Sequence, residues 1–511
     1  MLPRSTRTFL GHPVGLFVLF FTEMWERFSY YGMRGLLKLY MVNYLFVTLR
    51  QSLQGKQYDT AGDPGSILGW GVIKHLLPSA DPGSLAASVA ERAKALMATV
   101  TASGAPMYTA EVAHRIASET SAVQQGASVI YGWYTGLVYL TPLLGGYLAD
   151  KFLGQKKAVF IGGGLMAIGQ YMLWGSESLF FVALLLLILG NGFFKPNIST
   201  QVGSLYPQGD PRRDGAFTIF YMGINLGAFI CNLICGTLAA LYGWRWGFFA
   251  AGVGMCLGLV VQALGQRFLA PDTLQARQHA AVAAKQEKPA PHAPLTPVEW
   301  RSIWALVILC GLNIVFWAVY EQQGNTMQTW ADEKTIWPVI LGFQIPSTWF
   351  QSVNPFFIFL FAPFLDIFWR WQNKKGQEPT SVAKMAVGSM ILGLSFIVMI
   401  IGVWMVGSGQ GSWFWPVFCT MLLTVGELYL SPVGLSLVTK VSPRRIVSMM
   451  MGMWFLSSFF GNILSGYIGQ LYTIIPKEMF FLILLLLGCG TGIAIWLFNK
   501  PLKEAMASHS T

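Results

Sequence analysis

Long apolar runs separated by short charged loops repeat along the chain. The first, Pro13 to Phe46, is long enough to cross a hydrocarbon layer of about 30 Å as a helix. Eleven more follow, and together they predict twelve spans at roughly 14–47, 127–149, 157–175, 180–204, 216–240, 247–268, 302–323, 348–369, 382–406, 413–438, 446–470 and 478–499. Two longer segments interrupt the rhythm. Residues 50–126 hold Gly/Pro/Asp turns around a short apolar piece, Ile67 to Leu77, and then an Ala-rich helical piece at about 85–123. Residues 271–299 are rich in Ala, Lys, Gln and Pro, the composition of a flexible tether. The expected organisation is an all-α membrane protein. Residues 1–270 form one six-helix bundle carrying the 50–126 insertion, 271–299 a linker, and 300–511 a second six-helix bundle.

Lysine and arginine set the orientation. Arg4, Arg7, Lys151, Lys156, Lys157, Arg212, Arg213, Arg267, Arg277, Lys285, Lys288, Arg301, Arg370, Lys374, Lys375, Lys384, Lys440, Arg444, Arg445, Lys500 and Lys503 fall on the side of the N-terminus. The opposite short loops carry Arg245, Lys334 and Lys477. Basic residues concentrate on the cytoplasmic side of membrane proteins, which places both termini in the cytoplasm and the insertion outside. The net charge of +11 is then a topology signal and not a nucleic-acid footprint.

Composition supports this class. The chain is 54% hydrophobic and 11% charged, under half of the roughly 25% charged share of soluble domains, with mean hydropathy +0.51. The six cysteines lie in apolar runs, with neither a zinc spacing nor a disulfide framework. All six histidines fall outside the predicted spans, so proton chemistry within the membrane rests on carboxylates. The basic N-terminus lacks a cleavage signature after a short apolar core and reads as an uncleaved first span.

The first run departs from a plain lipid-facing helix, since it carries Glu23, Glu26, Arg27, Arg34 and Lys38. At about 100° per residue, Glu23, Glu26, Arg27, Tyr30 and Arg34 share one face, with Tyr31 and Lys38 at its edge. Ionisable groups at membrane depth are costly and mark polar cavities or charged partners. Lys38, near the end of the run, reads as snorkelling to the interface. Farther along, Lys195, Glu321 and Glu427 are the other ionisable candidates inside spans. Asn225, Asn354, Ser457 and Ser458 add hydrogen-bonding groups, and Tyr139, Trp317, Trp454 and Phe455 add aromatic walls. Each alone has a structural reading, as interhelical hydrogen bonding or packing. As a set, cations Arg27, Arg34 and Lys195 come from the first half and carboxylates Glu321 and Glu427 from the second. If the halves face one another, the cavity is bipolar and suits a zwitterion such as a free peptide. A faint repeat supports two related halves: Lys195 to Glu427 and Arg212 to Arg444 are each about 230 residues apart, the kind of internal duplication transporters show.

The motifs carry a resemblance. Glu23-Met-Trp-Glu26-Arg27-Phe-Ser-Tyr-Tyr-Gly32 resembles the ExxERFxYYG signature of the proton-coupled oligopeptide transporters, a family of the major facilitator superfamily. Phe217 to Gly227 (FTIFYMGINLG) resembles that family's fifth-helix signature, and Gly145 to Lys157 (GGYLADKFLGQKK) is similar to a loop found throughout the superfamily. GFFKPN, FWAVYEQQG, WFQSVNP, GELYLSPVGLS and MWFLSS also match family segments, so the resemblance covers nearly all spans.

The resemblance implies roles. Glu23, Glu26 and Arg27 would form a proton-coupling cluster that exchanges partners with Lys195. Arg27, Arg34 and Lys195 would draw the peptide carboxylate, and Glu427 with Asn225 and Asn354 the peptide ammonium. Glu321 would respond to protons and pair with Arg34 when the outer side closes. Tyr30, Tyr31, Tyr139, Trp317, Trp454, Phe455 and Ser458 would line side-chain pockets. The function implied is proton-driven import of di- and tripeptides by alternating access in the bacterial inner membrane. Protons are the coupling ion, no other cofactor is used, and a monomer is the working unit. Many bacterial members carry two extra helices between the halves; the segment 271–299 is too short and polar for them. The 50–126 insertion exceeds the family pattern. The competing functions are a related carrier of nitrate or a modified amino acid and, from another class, a membrane sensor or enzyme. The chain has neither HExxH nor a plausible intramembrane Ser–His or Cys–His pair.

Overall fold

The computed structural model describes residues 8–46, 67–73, 75, 86–97, 109–207, 210, 212–272, 274, 296–442 and 446–499. Much of the insertion, most of the linker, the termini with Arg4, Arg7, Lys500 and Lys503, and the Arg444-Arg445 pair of the internal repeat lie outside the described residues.

Twelve long helices carry the described chain. They are α1 (Val14–Tyr40), α4 (Ala110–Leu148), α5 (Gln155–Gly175), α6 (Phe180–Ser204), α7 (Arg212–Tyr242), α8 (Trp244–Gly265), α9 (Pro297–Tyr320), α11 (Val353–Lys374), α12 (Ser381–Val406), α13 (Phe414–Val441), α14 (Val447–Ile474) and α15 (Lys477–Leu497). Each of the twelve predicted spans is matched by one of them. Three shorter helices accompany them: α2 (Trp70–Ile73), α3 (Ala86–Met97) and α10 (Thr326–Glu333). Among the described residues, nine helical stretches are apolar enough over their length to cross a membrane. Helix α1 is not among these because Glu23, Glu26 and Arg27 interrupt it. A π-helical turn, Met41–Leu45, extends its far end.

The expected boundaries need one substantial correction. The Ala-rich piece at 85–123 is not a single element. Its first part is α3, and its second part runs without a break into the second span, so α4 is 39 residues long. The polar stretch 118–125 (SETSAVQQ) obscures this continuity in a hydropathy reading, yet it holds neither proline nor glycine, so nothing in it stops a helix.

The helices group into two compact units. One comprises Met1–Met33, Leu137–Ser176 and Val182–Trp300. In it α8 packs on α5 and α7, and a tight hairpin pairs Thr8–Phe9 with His12–Pro13 ahead of α1. At the start of α7, Arg212 donates hydrogen bonds to Asp210 and holds that carboxyl down at about 2. The other unit comprises Arg34–Gly136, Glu177–Phe181 and Arg301–Thr511, with α12 packed between α13 and α15. The far ends of α1 and α4 thus belong with the helices of the second half of the sequence.

Glycine makes the close approaches. A Cβ at Gly132 of α4 would lie 2.7 Å from the carbonyl oxygen of Asn462 and 2.8 Å from Cα of Gly466, both on α14. In the first unit, a Cβ at Gly227 of α7 would lie 3.0 Å from Cβ of Arg27, so this glycine seats α7 against the charged turn of α1. It closes the FTIFYMGINLG segment, which gives that motif a packing reason.

Candidate functional site

In the first unit the polar face of α1 is buried. Glu23, Glu26 and Arg27 are 1%, 0% and 2% exposed, so water cannot solvate their charges and they must neutralise one another. One helical turn separates Glu23 from Arg27, and Arg27 Nε donates to Glu23 Oε1 at 2.9 Å. The same nitrogen lies 2.6 Å from Glu26 Oε2. From α6, Asn191 donates to Glu26 Oε1 at 3.2 Å. Lys195 follows one turn later on the same helix, with its Nζ 4.8 Å from the centre of the Tyr139 ring and within electrostatic reach of Glu26. Arg27 lies over the Tyr30 ring at 5.5 Å, and Tyr30 meets Tyr31 edge to face. Glu23 Oε2, Glu26 Oε2 and Arg27 Nη2 have no hydrogen-bond partner among the described residues, leaving two buried acceptors and one buried donor in the cluster. Asn225 donates to the carbonyl of Tyr221 on its own helix at 3.0 Å.

In the second unit Arg34 forms an ion pair with Glu321, which opens the short turn after α9. Its Nε also donates to the Tyr131 hydroxyl at 2.8 Å. Glu321 is buried, so this is a desolvated pair held by a third group. Asn354 of α11 donates to Glu427 Oε2 at 2.9 Å and to Thr424 Oγ1 at 3.0 Å. The Tyr320 hydroxyl bonds Glu427 as well. Adjacent residues Tyr320 and Glu321 therefore engage Glu427 and Arg34, tying the two carboxylates to one short stretch of chain. Trp317 and Trp454 are buried in packing, the first against Tyr320 and the second against Gly434, while Phe455 is 38% exposed. Ser458 is buried, and its carbonyl accepts from Asn462. Asn313 donates to its neighbour Ser457 at 2.7 Å.

Thus Glu23, Glu26, Arg27, Tyr30, Tyr31, Tyr139, Lys195 and Asn225 lie in one unit. Arg34, Trp317, Glu321, Asn354, Glu427, Trp454, Phe455 and Ser458 lie in the other.

Lys38 requires a correction. It does not snorkel: it is 1% exposed, with Nζ donating to the carbonyl of Gln124 at 3.1 Å and to the Ser128 hydroxyl. The insertion-side extension of α4 covers the position that an interface would otherwise occupy. Sequence reasoning also passed over Asn191, Tyr131, Tyr320 and Thr424. Asn191 has a readable signal, since it precedes Lys195 by four residues and so shares its helix face.

The fold and these clusters define a multi-spanning helical carrier of the major-facilitator type, with charge buried inside its helices. The pattern that defines the POT family matches residues 156–286 and 295–482. The chain belongs to the POT family. It is 31% identical to the peptide transporter YePEPT of Yersinia enterocolitica, over 91% of this chain and 88% of that protein. It is 30% identical to the di-/tripeptide transporter of Lactococcus lactis subsp. cremoris, over 99% of both. A crystal structure of a mutant peptide transporter POT in complex with alafosfalin superposes with a TM-score of 0.74 at 30% identity, covering 99% of this chain and 98% of that one.

Proposed function

We propose that this chain imports di- and tripeptides together with protons across the bacterial inner membrane, by alternating access, as a monomeric working unit with both termini in the cytoplasm. The observation that carries this reading is the buried group Glu23, Glu26 and Arg27. Two carboxylates against one guanidinium leave a formal charge of −1, which Lys195 offsets. A peptide carboxylate that engages Lys195 or Arg27 removes that compensation. In a buried site the uncompensated charge is expensive, so binding favours proton uptake on a glutamate. Substrate and proton are thereby linked through charge balance, with no further cofactor. At the other end of the peptide, Glu427, already oriented by Asn354 and Tyr320, supplies the counter-charge for the ammonium. Recognition of both charged ends selects for short free peptides with little regard to their side chains.

Arg34 and Glu321 serve as the outer closure: their ion pair joins the far end of α1 to the turn after α9, and protonation of Glu321 would release it. The test is uptake of labelled dialanine into proteoliposomes with and without an inward proton gradient, competed by a tripeptide, free alanine and nitrate. Gradient-dependent uptake blocked by the tripeptide alone supports the reading. Uptake blocked by nitrate or alanine, or indifferent to the gradient, overturns it. Glu427→Gln is expected to remove the preference for a free N-terminus, and retained preference would show that the ammonium binds elsewhere.

A further inference from the structure

The insertion carries a helix, α3, that the transport mechanism above does not use. One face of α3 is apolar: Val89 and Ala93 bury against Ala113 and Ala117 of α4, with Ile474 of α14 at the edge of the cluster. This contact fixes α3 on the extension of α4. From the same helix Arg92 reaches Glu333, the last residue of α10. Its Nη1 lies 3.0 Å from Oε1 and its Nη2 3.1 Å from Oε2, the two-pronged geometry that makes arginine–carboxylate pairs directional.

Gln124 of α4 joins the pair to α1. Its side-chain oxygen accepts from Arg92 at 2.7 Å, its side-chain nitrogen donates to Glu333 at 2.6 Å, and its backbone carbonyl accepts from the buried Lys38. Beside this network, Asp332 accepts from Asn43 at 2.8 Å and from Ser347 at 2.5 Å. Four helices therefore meet on one polar knot, and every bond in it lies at the end of α1 away from the N-terminus.

We propose that α3 is a latch on the outer side of the carrier. Apolar packing holds it to α4, and Arg92 is the bolt that engages Glu333 on α10. Any movement that separates the far ends of α1 and α4 from α10 must break the Arg92–Glu333 and Gln124–Glu333 bonds. The insertion thus biases the protein towards the arrangement closed at this end, and removing the bolt raises the open population. The latch rests on the transport reading only for the meaning of opening, and its primary readout is independent of substrate.

The experiment uses the full-length chain in nanodiscs with one added reporter, Thr135→Cys. Thr135 is buried on α4, 1% exposed. Modification by a polar maleimide is followed at that peptide by mass spectrometry, so the native cysteines do not interfere. Arg92→Gln and Glu333→Gln are each expected to speed modification roughly threefold to tenfold. The exchanged pair, Arg92→Glu with Glu333→Arg, is expected to restore the parent rate, because Gln124 can both donate and accept. Unchanged rates in both single variants, or an exchanged pair as fast as the singles, would overturn the latch. Dipeptide uptake is measured separately: a parent that takes up no peptide sinks the transport reading, while the modification rates still decide the latch.

Discussion

Gly132→Ala tests whether the contact between α4 and α14 is one that must open. The added Cβ would sit 2.7 Å from the Asn462 carbonyl oxygen, 2.8 Å from Gly466 Cα and 2.9 Å from Gly466 N. Ordinary contact begins near 3.4 Å, so the helices must part by about 0.7 Å. All three neighbours are backbone atoms and cannot swing aside as a side-chain tip would, and close-packed interiors do not absorb such a displacement. Overpacking of this kind costs roughly 1–3 kcal/mol. The cost falls on the closed arrangement alone, because the clash vanishes once α4 and α14 separate. The gain in helix propensity from glycine to alanine applies to both arrangements and cancels. The open population should therefore rise about 5- to 150-fold. The assay is the modification rate of the Thr135→Cys reporter, which scales with the open population while opening is rare. Gly164→Ala, where a Cβ meets nothing within 4 Å, is the control and should leave the rate unchanged. A folded Gly132→Ala protein with the parent's rate would refute the reasoning, since the contact would then persist through whatever opening the reporter detects.

Other outcomes follow from the two clusters. Glu321→Gln removes the counter-charge of Arg34 and leaves Tyr131 as a neutral acceptor; the reporter should react faster, and proton-driven uptake should fall in proteoliposomes. Asn354→Leu strips one donor from Glu427. A hydrogen bond to a charged group contributes about 1.5–3 kcal/mol, so the KM for dialanine should rise roughly 10- to 100-fold, with a smaller change for an N-acetylated analogue. Asn191→Ala leaves Glu26 Oε1 without its donor, at a cost of about 1–3 kcal/mol, and should weaken uptake while the reporter rate stays at the parent value. Trp454→Ala empties a packed position against Gly434 and should lower stability by about 3–5 kcal/mol, read as a lower melting temperature in detergent.

The spans were legible because lipid-crossing helices leave a strong apolar signal, and the charged turn of α1 was legible because such residues are conspicuous inside one. Partners were harder to read. Arg34 and Glu321 lie 287 positions apart, and no local pattern records that they meet. Asn191 and Tyr131 are ordinary residues by type, and they matter through the buried charges they face. Lys38 misled for a physical reason. A lysine near the end of an apolar run normally finds water within the length of its side chain, and here the extension of α4 lies in the way. That extension was itself hidden, because a polar helix continuing an apolar one changes hydropathy without changing backbone conformation.

The length of α4 also has a mechanical meaning. At 1.5 Å per residue its 39 residues run about 58 Å, and the 17 that precede the predicted span stand roughly 25 Å clear of it. A rod of that reach is a pointer: each degree of tilt in its membrane-embedded part displaces the tip by about 0.4 Å. Domains that rock by small angles are difficult to follow from inside a bilayer. Here the protein supplies its own amplified gauge, and a fluorophore or a binding protein at Glu111 would read the motion from the aqueous side.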